Sequence, residues 1–99
     1  MEEIKREEII LLYDIYNSLL TDKQRIYFEE YYYSDLSLKE ISENHDVSRN
    51  AIHDQLKRTI ESLFEYENKL KLKHKLSKIQ DLNINEDEKK AILDILWEE

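Results

Sequence analysis

Neither glycine nor proline occurs anywhere in the 99 residues of this chain. These are the residues with which a chain most easily makes left-handed turns, kinks and tight hairpins. Without them, a sequence dominated by Leu, Ile, Glu and Lys is left with helix as its main regular structure. The expected fold class is all-α: a small helical bundle forming a single domain over residues 1–99, since a chain of this length supports one core. Cysteine is also absent, which removes disulfides, thiolate nucleophiles and Cys-based zinc sites, and leaves stability to packing. The longest unbroken apolar run, IILLY at Ile9–Tyr13, is far too short for a signal segment or a membrane span. A soluble cytoplasmic protein is expected. The formal net charge of -8 opposes unspecific attraction to polyphosphates, so any nucleic-acid contact has to come from a local patch.

Periodicity and capping residues divide the chain into helices. From about Glu3 to Leu19, Ile9, Leu12, Tyr13, Tyr16 and Leu19 recur at three- and four-residue steps and mark one apolar stripe. Thr21 and Gln24 have capping-box spacing and open a second helix from about Asp22 to Tyr33. Ser37 and Glu40 form another box, with Leu36 placed to staple onto Ile41, and this third helix ends near Asn44. Asn44, His45 and Asp46 then supply residues that tolerate the left-handed backbone region where glycine is the usual choice. Ser48 is a suitable N-cap for a long fourth helix with Ile52, Leu56, Ile60, Leu63 and Leu70 facing inward. Asn85 and Glu88 cap a last helix with Ile92, Leu93 and Leu96 on one side. Between them, the alternating Leu and Lys of LKLKHKLSKIQDLNI have no partner strand, so a continuing or broken helix is expected, within a C-terminal helical extension of about residues 70–99.

The stretch from about residue 37 to 58 has the pattern of a helix-turn-helix, in which one helix braces a second that presents its first turns to base edges. Leu38, Ile41, Val47, Ile52 and Leu56 are the packing set. The outward set is Arg49, Asn50, His53, Asp54, Lys57 and Arg58. Arg can clasp guanine, Asn can clasp adenine and Lys can pair with phosphate. Of these, Arg49, Asn50, His53, Lys57 and Arg58 are the candidate nucleic-acid-binding residues. Asp54 is discordant: it suits cytosine N4, or neutralisation of Arg58 four residues on, but it repels phosphate.

From Leu19 to Leu70 the order of motifs, LLTDKQ, a run of tyrosines, DLSLKEI, VSRNAIHD and LKR, resembles the YlxM family of small bacterial proteins. The helix-turn-helix of that family is similar to region 4 of sigma-70-type factors, a fold without a wing. The resemblance implies an accessory or regulatory role in the signal recognition particle pathway, with the particle's GTPase protein, its RNA or both as partner. One position departs from the pattern: Asp46 stands in the turn where glycine is common.

Other features weigh on function. Tyr31, Tyr32 and Tyr33, one turn after Tyr27 and Phe28, either pack in the core or form a stacking platform for unpaired bases; three successive helical residues cannot all point inward, so at least one is exposed. Lys69, Lys71, Lys73, Lys75 and Lys78, with His74, form the only dense basic cluster, read either as a solvated helix face or as a candidate partner- or phosphate-binding site. The histidines are too far apart to share a turn, and there is no H-E-x-x-H and no Gly-rich loop. No catalytic residue, metal site or cofactor is expected. Ile10, Leu11 and Ile15 widen the apolar stripe of the first helix, which either completes the bundle against the last helix or forms a self-association surface, with Trp97 as an anchor in both cases. The leading expectation is an adaptor of the signal recognition particle machinery. The alternatives are a DNA-binding transcriptional regulator and a non-catalytic dimeric interaction module.

Overall fold

The computed structural model describes residues 6–98. Within them the chain forms α1 (Arg6–Tyr16), α2 (Asp22–Tyr32), α3 (Leu38–His45), α4 (Arg49–Leu70), α5 (Leu72–Gln80) and α6 (Glu86–Trp97), with a 3-10 turn at Asn17–Leu19. No strand occurs among the described residues. The first residues expected for helix 1, from Glu3, lie outside them.

The helix starts are where the capping residues put them. Thr21 Oγ1 accepts from the Gln24 N-H while the Gln24 side chain accepts from the Thr21 N-H, and Ser37 with Glu40 and Asn85 with Glu88 repeat this reciprocal arrangement. Ser48 Oγ accepts from the Ala51 N-H at 3.0 Å and starts α4. Each cap satisfies backbone donors that the helix itself leaves orphaned. Helix ends need other devices in a chain without glycine. Asp46 closes α3 at φ 53 and ψ 46, the left-handed conformation expected in the turn. Asp35 does the same after α2 at φ 55. Arg6 secures that second turn from α1: its guanidinium donates to the Tyr32 carbonyl at 2.6 Å and to Asp35 Oδ1 at 3.5 Å.

Two buried clusters share α2 and α4. In the first, Ile9, Leu12, Tyr13 and Tyr16 of α1 pack with Leu20, Phe28, Ile60 and Leu63. In the second, Tyr27, Ile41, Ile52 and Leu56 hold the helix-turn-helix together, with Tyr31, Leu36, Leu38 and Val47 around them. Tyr27 and Phe28 are adjacent and both buried because α2 is sandwiched, one ring facing each cluster. The 22 residues of α4 span about 33 Å at the usual helical rise. Its first turns belong to the helix-turn-helix and its later turns to the α1 core, so the motif is braced by the rest of the fold.

Two residues assigned to the inward stripes are exposed. Leu19 is 50% exposed and Leu20 takes the buried place at 5%. The reason is the 3-10 turn after Tyr16: at three residues per turn the chain advances faster around the axis, and the extended backbone at Leu20 points its side chain inward. Leu70 is 45% exposed; α4 ends there at the left-handed Lys71, and Leu72 on the far side of that break packs against the α1 cluster instead.

The segment between the fourth and last expected helices is a broken helix. Lys71 breaks it at φ 58 and ψ 32 and serves both as C-cap of α4 and as N-cap of α5, where its side chain caps nothing. The first N-H groups of α5 are satisfied from a distance. Tyr16 Oη accepts from the Leu72 N-H at 3.1 Å, Glu67 Oε1 from the Lys73 N-H at 2.9 Å and Glu67 Oε2 from the His74 N-H at 3.2 Å. Tyr16 Oη in turn donates to Glu67 Oε1 at 2.6 Å. Burial works against the Glu67 charge, but the hydrogen bonds from Tyr16, Lys73 and His74 outweigh it and hold the carboxyl below its ordinary pKa. Burial, with the bond to Glu67, pushes the Tyr16 phenol up to about 12.

Beyond this junction α6 is loosely attached, with no fully buried residue. Leu11 and Ile15 of α1 face Leu76, Leu93 and Trp97 across a cleft of about 420 Å³. The wide stripe of α1 is therefore turned toward the last helix but incompletely covered by it. Ile95, Leu96 and Trp97 remain 67%, 48% and 50% exposed. No helix among the described residues is long and apolar enough to cross a membrane.

Candidate nucleic-acid interface

The helix-turn-helix is built around Ile41 and Ile52, both fully buried, with Leu56 6% exposed. Fixing Ile52 and Leu56 inward turns the other side of α4 to solvent: Arg49, Asn50, His53, Asp54, Lys57 and Arg58 are all exposed. The turn before α4 is tied to α2, since His45 Nε2 lies 2.6 Å from Glu30 Oε2 and the His45 ring meets the edge of Tyr27 at 5.0 Å. These contacts fix the pose of α4 without using any of its outward residues.

The charges on that face are distinctly disposed. Arg49, Lys57 and Arg58 have no acidic partner within ion-pair distance among the described residues. Asp54 does not neutralise Arg58; its carboxylate sits 3.6 Å from His53 Nδ1. Glu40 and Glu43 are exposed on α3, and Glu61 is exposed one turn beyond Lys57, so negative charge is also present on the motif. On this face, uncompensated positive charge is thus confined to a narrow strip of α4.

The lysine cluster does not converge as a set. Lys69 pairs with Glu65 at 2.9 Å on α4, and Lys73 turns toward α1, 3.4 Å from Glu8. Lys75 runs along the α5–α6 seam beside Leu76, Ile79 and Trp97. Lys71, Lys75 and Lys78 are the exposed members without an acidic partner among the described residues.

Comparison with known proteins agrees with the helix-turn-helix fold. The chain matches the model of the UPF0122 family, described as "Putative helix-turn-helix protein, YlxM / p13 like", over residues 3–95. The chain belongs to the UPF0122 family. It is 39% identical to a UPF0122 protein of Malacoplasma penetrans over 104 aligned residues, covering 98% of this chain and 97% of that protein. It is 55% identical to a UPF0122 protein of Bacillus thuringiensis over 71 residues, 72% of this chain and 64% of that one. A Shouchella clausii member is likewise 55% identical over 64 residues, covering 65% of this chain and 59% of its own length. The chain thus aligns with under two thirds of the length of these last two relatives.

For this UPF0122 member, two features were not legible in the sequence. One is the junction of Tyr16, Glu67 and α5, whose partners lie 51 and 56 residues apart. The other is the meeting of the tyrosine run with α4. Tyr33 is the exposed member of the run at 48%, and its hydroxyl donates to Asp14 Oδ1 at 3.0 Å. Tyr31 and Tyr32 are half-buried and lie beside His53 and Lys57. Aromatic residues two helices before the basic first turns of α4 were the only available signal, and it carried no register.

Proposed function

We propose that this chain is a non-catalytic regulatory helix-turn-helix protein that engages nucleic acid through the exposed strip of α4. The observation that carries this reading is the set Arg49, Lys57 and Arg58, exposed and without acidic partners among the described residues, flanking Asn50 on a helix braced by Ile52 and Leu56. Cations already held by carboxylates would have to exchange partners to bind phosphate; these do not. Three such contacts imply a modest salt dependence, with log K falling against log salt at a slope of about 3. Replacing Arg49 and Asn50 with Ala should relax base preference, each bidentate contact being worth about 1 to 3 kcal/mol. Footprints or affinities that do not change would remove the reading.

The family resemblance supports a second reading, an accessory protein of the signal recognition particle pathway that binds its GTPase protein or its RNA. Lys71, Lys75 and Lys78, exposed and without acidic partners among the described residues, favour it. The two readings separate when purified protein is passed over the particle's GTPase protein, its RNA and mixed duplex DNA at two salt concentrations. Loss of GTPase or RNA binding on changing Lys71, Lys75 and Lys78 to Glu, with duplex binding kept, selects the second. The exposed apolar residues of α1 and α6 suit a homodimer as well, which sedimentation of the purified chain would measure.

A further inference from the structure

Between α2 and α4, on the side of the recognition helix nearest the tyrosine run, lies a cleft of about 190 Å³ lined by Tyr31, Tyr32, His53, Leu56, Lys57 and Ile60. Leu56 and Ile60, 6% and 3% exposed, form an apolar floor. The Tyr32 ring is held in place by Phe28, stacked at 4.5 Å, and by the Arg6 guanidinium 5.0 Å from its centroid. Tyr31 meets Tyr32 only edge to face, with centroids 5.0 Å apart and planes at 82°. No aromatic ring among the described residues stacks on a face of Tyr31. The hydroxyls of Tyr13, Tyr16, Tyr33 and Tyr66 are all hydrogen-bonded within the protein. Those of Tyr31 and Tyr32 have no protein partner among the described residues, and since no buried side-chain polar atom is left unpaired, both open to solvent.

We infer that this cleft takes one unstacked base of an RNA strand, with Lys57 on the adjoining phosphate. The volume is below the roughly 300 Å³ at which pockets begin to bury drug-sized molecules, which restricts the occupant to about one ring system. Its walls offer what a base needs: an unstacked aromatic ring, an apolar floor, and polar tips at Tyr31, Tyr32 and His53 for exocyclic groups and a 2′-hydroxyl. Lys57, at the edge, has no acidic partner among the described residues, and it belongs at the same time to the exposed strip of α4. The 2′-hydroxyl and the local nature of the positive charge favour an unpaired RNA segment over duplex DNA, whose dense phosphates would meet Glu40, Glu43 and Glu61. This inference rests on the nucleic-acid reading of α4 and specifies its ligand.

The test uses the full chain and three probes: a hairpin RNA with one 2-aminopurine in its loop, the same RNA paired to its complement, and the DNA hairpin. The expected result is quenching of the loop fluorophore on binding and preference for the RNA hairpin. Tyr31→Leu should weaken hairpin binding about 5- to 150-fold, with little effect on the paired RNA, while Tyr31→Phe keeps the quenching. Lys57→Glu, at an exposed side chain shared with the α4 strip, should weaken binding to hairpin and paired RNA together, and a Tyr31→Leu protein that keeps its paired-RNA affinity has not lost its fold. Hairpin binding without quenching, or equal losses of Tyr31→Leu on hairpin and paired RNA, would overturn the cleft assignment and leave the α4 reading standing. If the chain binds none of the three, the α4 reading fails. A titration with 5′-AMP that leaves the Tyr31 and His53 ring resonances unmoved then overturns the cleft by itself.

Discussion

Replacing Glu67 with Ala tests the least obvious part of this fold. Glu67 accepts three hydrogen bonds, from the Tyr16 hydroxyl at 2.6 Å and from the Lys73 and His74 N-H groups at 2.9 and 3.2 Å. Tyr16 is 1% exposed, and Glu67 is the acceptor that its hydroxyl loses when the carboxylate is removed. A hydrogen bond to a charged group contributes about 1.5 to 3 kcal/mol. The two α5 donors lie nearer the surface and can be rehydrated, so their loss resembles removal of an N-cap, about 0.5 to 2 kcal/mol. Together these give about 2 to 4 kcal/mol, after allowing for overlap because Oε1 serves two donors. For a domain of this size that is a fall in Tm of about 10 to 25 °C. Glu67→Gln keeps one acceptor oxygen and loses only the second oxygen and the charge, so it should cost about 1 kcal/mol.

The assay is urea denaturation followed by circular dichroism, with amide exchange read at Leu72, Lys73 and His74. Protection at those amides should fall more than at α3 amides, because α5 frays from its start. The carboxyl also predicts a pH effect. Its folded pKa is depressed, so its contribution is complete above the unfolded value of 4.5 and disappears as the pH falls through the lower folded value. Glu67→Gln should remove that part of the acid-induced loss. An unchanged urea midpoint in Glu67→Ala, together with unchanged α5 protection, would refute the claim that this side chain starts α5.

The remaining expectations use the same measurements. Stability should decline between pH 10 and about 12 as the Tyr16 phenol, whose folded pKa is raised to about 12, loses its preference for the neutral folded form; Tyr16→Phe should flatten that decline. Ile52 is fully buried between the motif helices, so Ile52→Ala should cost about 2 to 5 kcal/mol in urea melts and Ile52→Asp should abolish cooperative melting. Asp46 holds φ 53 without being glycine, so Asp46→Gly should melt at or above the wild type, whereas a β-branched Asp46→Val should lose about 1 to 2 kcal/mol. Ser37→Ala removes the acceptor for the Glu40 N-H at 3.0 Å and should cost about 0.5 to 2 kcal/mol, with exchange at the α3 amides rising first.

The sequence alone determined what depends on neighbours three or four residues apart. Capping boxes at Thr21, Ser37 and Asn85 set helix starts because donor and acceptor lie within one turn, and Ile41, Ile52 and Leu56 declared the helix-turn-helix through their spacing. The outward set of α4 followed from the same periodicity once its inward face was known. Tertiary structure decided the rest. Leu20 replaced Leu19 in the core because a 3-10 turn shifted the phase of the chain, an outcome fixed by packing and not by either residue's own preference. It also decided which lysines stay free, since Glu8 reaches Lys73 across 65 residues. Finally, α5 has no cap of its own: Lys71 caps nothing, and Glu67 and Tyr16 start that helix only because α1 and α4 already lie side by side. Local hydrogen bonds can be read along a chain, whereas bonds between distant residues exist only after the core has brought them together.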